Sequence, residues 1–391
     1  MKVVLIILIS LFMGEITGKA QEASRPRARE TGIQVGILPP GRFNAITDVE
    51  GVKAGHKTII REGTVRTGVT VILPHGGNLF LEKVRAAVYS GNGFGKLAGS
   101  MQIEELGTIE TPIALTNTLS VPVALSALIR YTLRQPGNML VTSVNAVAGE
   151  TNDGWLNDIR GMHVTESDVL EAIEAARSGP VEEGSVGAGT GTMCYGFKGG
   201  IGTSSRVLPD ELGDYTVGVL VQTNFGGVLT INGAPVGREL GDFQFSEYAG
   251  RPGEDGSCMI VVATDAPVSS HDLKRMAKRA IIGLGRTGSS MSNGSGDFVI
   301  AFSTACRIPH KSEPGGQPVA LISGDRMSPL FLAVTEATEE AIYNSLLKAT
   351  EVTGRAGHKG LPIPVEKVKE ICRKYNVLDL QDHLPAIKAG K

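Results

Sequence analysis

The sequence has no excess of either charge: 38 Lys and Arg stand against 40 Asp and Glu, leaving −2. That balance speaks against nucleic acid or an anionic membrane surface as a partner. Cysteine is scarce. Cys194, Cys258, Cys306 and Cys372 are the four present, and no CxxC or cluster of His and Cys suggests a metal. No low-complexity linker divides the 391 residues, so one large domain is as open as two. The glycine-rich Ser185–Met193 lacks the Gly-Lys-Ser/Thr ending of a phosphate loop and the spacing of a dinucleotide fingerprint, which argues against phosphate binding. The apolar run at the start, Val3 to Met13, is too short to span a bilayer, which takes about 20 residues.

What is present suits a globular protein with a sizeable core, since 41% of residues are hydrophobic and 20% charged. Lys2, the short apolar run and the small residues around Gly18-Lys-Ala20 read as an export signal cut near Ala20, giving a periplasmic or secreted protein with no stable membrane span. An uncleaved N-terminal anchor is the alternative. Gln21–Glu30 reads as a loose arm. Export permits disulfides among the four cysteines, whereas the apolar runs around Cys258 and Cys306 fit buried thiols as well.

From residue 31 the pattern mixes both kinds of element. Asn44–His56, Val65–Leu73, Met139–Val147, Tyr215–Asn224 and Phe298–Ser303 read as strands. Helical spacing runs through Ser120–Leu133, through a short helix capped by Thr165, through one capped by Ser269 or Ser270, through Ser328–Glu351, and from Pro364 through Val365–Tyr375. Lys274, Arg275, Lys278 and Arg279 read as a solvated face of the helix capped by Ser269 or Ser270. Asn232–Pro252 reads as a polar surface loop that tolerates a break. Blocks of strands and helices of this kind pack naturally as sheets covered by helices.

One stretch organises the rest. Arg251-Pro-Gly-Glu-Asp-Gly reads as an exposed turn and runs without a spacer into Ser257 and the apolar, β-branched Cys258–Ala263. Cutting the Gly256–Ser257 bond would leave Ser257 with both a hydroxyl and a free α-amine. Such an amine has a pKa of about 7.7–8.0 and is able to accept the proton of its own hydroxyl. Read alone, Asp255-Gly-Ser257 is an ordinary turn before a strand, and it is the company it keeps that points to chemistry. Asn224 ends its strand before Phe225-Gly-Gly227, as a turn former or as an oxyanion donor. Ser295 and Asp297 lie on a glycine-hinged segment at a strand start, either as turn residues or as a polar relay toward Ser257.

Taken together, Ala45–His56, Gly93-Phe-Gly95, Gly149-Glu-Thr-Asn-Asp-Gly154, Gly187–Gly191, Val221–Gly226 and Asp255-Gly-Ser257 resemble, in one order from about Gly32 to Ala386, the self-cleaving serine aminopeptidases that include L-aminopeptidase/D-esterase-amidases and β-peptidyl aminopeptidases. The resemblance implies a four-layer αββα sandwich, similar to N-terminal-nucleophile hydrolases but connected differently. It implies cleavage into an N-terminal subunit, residues 21–256, and a C-terminal subunit, residues 257–391, that together form one domain, commonly as a homotetramer. It further implies Ser257 as nucleophile, Ser295 and Asp297 as its supporting residues, Asn224 as oxyanion donor and Glu150 as the carboxylate that holds a substrate's free ammonium. Asn152 and Trp155 fall where relatives vary, and the indole is either a wall of the amine pocket or part of the core. No cofactor is expected. The expected substrate is a small peptide, amide or ester with a free N-terminal amine. Two alternatives stand beside this: an acyltransferase of related fold, although those use threonine, and an exported binding or scaffold protein that is never processed.

Overall fold

Runs rich in Val and Ile need cover on both faces, and they build the centre of the molecule. In the computed structural model, residues 25–61, 63–246, 256–311 and 319–383 are described. The expected export signal, the first residues of the arm and loop residues 247–255 lie outside them. In chain order the strands of the first half are β1 (Lys53–Arg61), β2 (Val65–Leu73), β3 (Glu82–Gly93), β4 (Leu97–Ala98), β5 (Thr108–Ile109), β6 (Ile113–Asn117) and β7 (Val147–Thr151). Those of the second half are β8 (Met193–Cys194), β9 (Phe197–Lys198), β10 (Ile201–Val207), β11 (Thr216–Asn224), β12 (Ser257–Thr264), β13 (Gly296–Pro309), β14 (Val352–Thr353) and β15 (Lys359–Gly360).

Two sheets result, in the orders β1-β2-β6-β7-β4 and β10-β11-β12-β13-β3-β5. Pairing is parallel between β6 and β7 and between β12 and β13. β12 shows why the sheets stack. All eight of its residues are buried, and alternate side chains serve different layers. Met259, Val261 and Ala263 fill the core between the sheets with Ile72, Leu115 and Val147. Cys258, Ile260 and Val262 face the helical layer. That layer consists of α5 (Ser270–Arg286) and α6 (Ser328–Leu347). A third cluster packs α2 (Val121–Leu133) and α3 (Glu166–Glu174), reading in chain order after α1 (Ser100–Leu106), onto the first sheet through Ala124, Leu128, Val169 and Ile173. The order of layers is helix, sheet, sheet, helix, as expected.

Local signals account for several boundaries. Thr165 and Asp168 form a reciprocal capping box at the start of α3, and the Ser269 hydroxyl accepts from Asp272 N–H at the start of α5. The remaining helices are α4 (Val236–Leu240) within the expected Asn232–Pro252 loop, α7 (Val365–Lys374) and α8 (Leu380–His383).

Five expectations change. Met139–Val147 is not a strand: Met139 and Leu140 are each 93% exposed, and pairing starts only at Val147. Its backbone bonds elsewhere instead, the Val141 N–H to the Asn138 carbonyl and the Asn145 N–H to Glu110 Oε1. The strand expected over Asn44–His56 starts at Lys53, because Asn44 takes φ 48° and Ile46–Asp48 form a short turn tied by Asp48 to the Ala45 N–H. The arm is not loose where it is described, since Arg25 donates to the carbonyls of Leu347 and Ile363, and Arg29 pairs with the buried Glu340. Arg275 and Arg279 are not simply solvated but lie over the Phe331 ring, the latter at 4.0 Å. Finally, α6, whose spacing through Leu330, Ala333, Ala337, Ala341 and Leu346 reads as an amphipathic helix, is buried nearly all round. Its Glu336 and Glu340 meet Arg206, which is fully buried on β10, at 3.0 and 2.8 Å. All four cysteines are free thiols.

Candidate active site

The site forms where the strands of both sheets end. Antiparallel register sets Asn224, the last residue of β11, opposite Ser257, the first of β12. Parallel register sets Ser257 beside Gly296, the first residue of β13. Ser257 shares the inter-sheet face of β12 with Met259, so its hydroxyl points between the sheets. From the other sheet, Glu150 near the end of β7 faces the same space, and Gly149 lets β7 approach because a Cβ there would lie 2.4 Å from the Met259 side chain. A cavity of about 560 Å³ results. Ser257, Asn224, Glu150, Asn152 and Trp155 all line it. Ser295 and Asp297 do not.

The Ser257 hydroxyl is buried and accepts from the Gly296 N–H at 3.4 Å. The same N–H reaches the Gly256 carbonyl oxygen at 3.2 Å. Asn224 Oδ1 accepts from the Met193 N–H at 3.0 Å, which leaves the Nδ2 hydrogens as the donors available to the cavity. Glu150 is 3% exposed. Its Oε1 accepts from the Lys96 N–H at 3.0 Å, its Oε2 from the Thr118 hydroxyl, and Lys96 Nζ stands 3.9 Å away. The carboxylate is therefore fixed from two sides with one edge toward the cavity. Asn152 Oδ1 accepts from Gly154 N–H at 2.9 Å, and Asp153 Oδ1 accepts from Asn157 Nδ2 at 2.9 Å, so the turn that carries Trp155 is braced by its own polar residues. Burial pushes Asp153 up to about 7 and the nearby buried Lys198 down to about 7.

Asp297 sits behind Ser257. It lies on the helix-facing side of β13 with Val299, opposite in sense to Ser257, and is fully buried. Burial pushes its carboxyl up to about 6; the nearby Ser295 hydroxyl and Cys258 N–H pull the other way. Neither closes to hydrogen-bond geometry, and Ser295 Oγ and both Asp297 oxygens lack a partner among the described residues. Ser295 is held by its carbonyl, which accepts from Phe94 N–H at 3.1 Å and from the Asn92 amide.

The residues read from sequence thus fall into a cluster around the cavity and a pair behind it. Sequence reasoning missed Thr118, Lys96, the Met193 and Gly296 N–H groups and Phe94. Phe94 lies in the Gly93-Phe-Gly95 motif, Met193 closes the glycine-rich stretch and Gly296 stands between Ser295 and Asp297, but none of the three carried a role there.

Known proteins share this architecture. A family model described as peptidase family S58 matches residues 44–360. A β-peptidyl aminopeptidase, BapA, of Sphingosinicella microcystinivorans is 42% identical over 94% of this chain and 97% of its own. Among solved structures, the PH0078 protein of Pyrococcus horikoshii is 48% identical with a TM-score of 0.84 over 90% of this chain and 99% of that one. The L-aminopeptidase D-Ala-esterase/amidase of Ochrobactrum anthropi, described as a prototype of the serine aminopeptidases and a new variant of the Ntn hydrolase fold, is 39% identical with a TM-score of 0.82, covering 90% and 100%.

Proposed function

This chain belongs to peptidase family S58, and from that premise we propose that Ser257 is the nucleophile of a self-processing serine aminopeptidase acting on small peptides, amides or esters with a free N-terminal amine. The observation that carries the reading is the convergence of Ser257, Asn224 and Glu150 on one cavity from two sheets.

The chemistry runs in two acts. In the first, Ser257 Oγ attacks the carbonyl carbon of Gly256, the C–N bond breaks, and the acyl group passes to oxygen as an ester. The Gly296 N–H, within reach of both the Gly256 oxygen and Ser257 Oγ, stabilises the charge that develops on the carbonyl. Water cleaves the ester, leaving a Gly256 carboxylate and a free amine on Ser257. In the second act, that amine takes the proton of the Ser257 hydroxyl as it attacks the substrate's first carbonyl. Asn224 Nδ2 stabilises the oxyanion, the leaving amine or alcohol departs, and water releases the acyl group. Glu150 holds the substrate's ammonium, Asn152 and Trp155 border its side chain, and the buried pair Ser295 and Asp297 supports Ser257 from behind.

Residues 21–256 and 257–391 are the two subunits of this scheme. Export after removal of residues 1–20 and assembly as a homotetramer belong to the same proposal. The exposed Met139 and Leu140 suit burial against another copy. No helix among the described residues is long and apolar enough to cross a membrane. The test is Ser257→Ala. The parent protein is expected to run as two fragments on a denaturing gel with a new N-terminus at Ser257, and the variant as one chain without activity. A variant that still appears as two fragments would sink the self-cleavage half.

A further inference from the structure

Trp155 is 50% exposed at the cavity, yet its indole is not loose. The His358 ring lies flat against it, with centroids 3.8 Å apart and planes 14° from parallel. His358 Nδ1 is 2.8 Å from the Trp155 carbonyl oxygen, and because a carbonyl only accepts, Nδ1 carries the proton. One ring thus holds both the side chain and the backbone of its neighbour.

His358 is delivered by the β14–β15 hairpin. Its tip turns through Ala356 and Gly357 at φ 56° and 76°. The hairpin is clamped to the Trp155 segment by the Arg355 N–H, which donates to the Leu156 carbonyl at 2.7 Å. Gly354 permits that approach, since a Cβ there would lie 2.0 Å from the same oxygen. The indole's own backbone is braced by the Asp153–Asn157 turn.

We propose that His358 is a positioning residue that fixes the Trp155 indole as a rigid wall for the side chain of the substrate residue being removed. The proposal rests on the aminopeptidase reading of the cavity. A half-exposed indole without the imidazole samples several rotamers, and a substrate must then order it on binding. With the stack in place that ordering has already happened, so the benefit goes to bulky apolar side chains that reach the wall and not to a methyl group that does not.

Trp155 is the sole tryptophan of the chain, so its emission reports this pair directly. The experiment uses the processed protein, His358→Ala and His358→Phe, with leucine and alanine para-nitroanilides for turnover and with leucinol and alaninol, which carry no scissile carbonyl, for binding by tryptophan emission. His358→Ala is expected to brighten the emission by removing the stacked imidazole. It is expected to raise KM for the leucine substrate and Kd for leucinol about threefold to tenfold, with kcat within about twofold and the alanine pair unaffected. His358→Phe, which keeps a flat ring, restores the leucine values. Equal losses for both side-chain sizes, or no rescue by Phe, would mean that the hairpin is merely structural and overturns the proposal. Unchanged leucinol selectivity in His358→Ala overturns it as well. Leucinol selectivity that behaves as expected in a parent protein with no turnover would instead break the aminopeptidase reading and leave the wall standing.

Discussion

A carboxyl group buried without a partner prefers to keep its proton, and Asp297 does so up to about pH 6 against 3.8 for an unperturbed group. The sign follows from proton counts. Between these two values the unfolded chain has released the proton and the folded chain has not, so stability falls as pH rises through that window and stays lowered above it. Asp297→Asn, made in the unprocessed Ser257→Ala chain, is therefore expected to raise unfolding free energy at pH 8 by about 1–3 kcal/mol. The gain should vanish below pH 4. Urea denaturation at the two pH values checks this, and equal stability at pH 8 would show that the charged form is accommodated. Glu150 is held differently. Its oxygens accept from the Lys96 N–H and the Thr118 hydroxyl, which fix it at the cavity wall, where the proposed role is to receive a cation. Glu150→Gln preserves shape and removes charge, so kcat/KM for free-amine substrates is expected to drop about tenfold to a hundredfold, the usual worth of a charged hydrogen bond. A drop smaller than threefold would take the ammonium away from this residue.

At the scale of elements, the junction between the loop and β12 is set by close backbone approach. A Cβ on Gly256 would lie 2.3 Å from Phe225 Cα and 2.7 Å from the Asn224 carbonyl oxygen, both backbone atoms of the adjoining chain that have little room to yield. Under the proposed scheme Gly256→Ala is therefore expected to displace the carbonyl of residue 256 from the Gly296 N–H and from Ser257 Oγ, and uncleaved chain should accumulate although Ser257 is present. A time course on denaturing gels reads this directly, and processing at the parent rate would contradict it. The same logic explains elements that local pattern misjudged. Met139–Val147 has strand-forming residues but its backbone bonds to a turn carbonyl and to the Glu110 carboxylate, and α6 carries buried Glu336 and Glu340 because Arg206 lies across from both.

For the whole molecule, the proposed cut falls inside one sheet. β11 from the N-terminal part and β12 from the C-terminal part pair over eight residues, from Val217 with Thr264 to Asn224 with Ser257, and β3 pairs with β13 on the far side. Side chains from both parts interleave in the core on either face of that sheet. Cleavage is therefore expected to leave the fold intact: the two fragments should co-elute on native size exclusion and separate only in denaturant. Fragments that part under native conditions would show that the central sheet does not survive the cut.

Periodicity and capping in the sequence determined most helices and the burial of β12, because each follows from residues near one another along the chain, while the four layers were implied by the family resemblance. Ser257, Asn224 and Glu150 were picked out in the sequence as well, Ser257 and Asn224 at the edges of plain apolar runs and Glu150 through the family resemblance, and the structure brings all three to one cavity. Only tertiary structure decided that Asp297 turns to the far face from Ser257, that the Gly296 N–H lies within reach of both the Gly256 oxygen and Ser257 Oγ, and that His358 lies on Trp155, 203 residues away. Those facts depend on register between strands and on contacts between distant loops, and neither leaves a periodic trace in the order of amino acids.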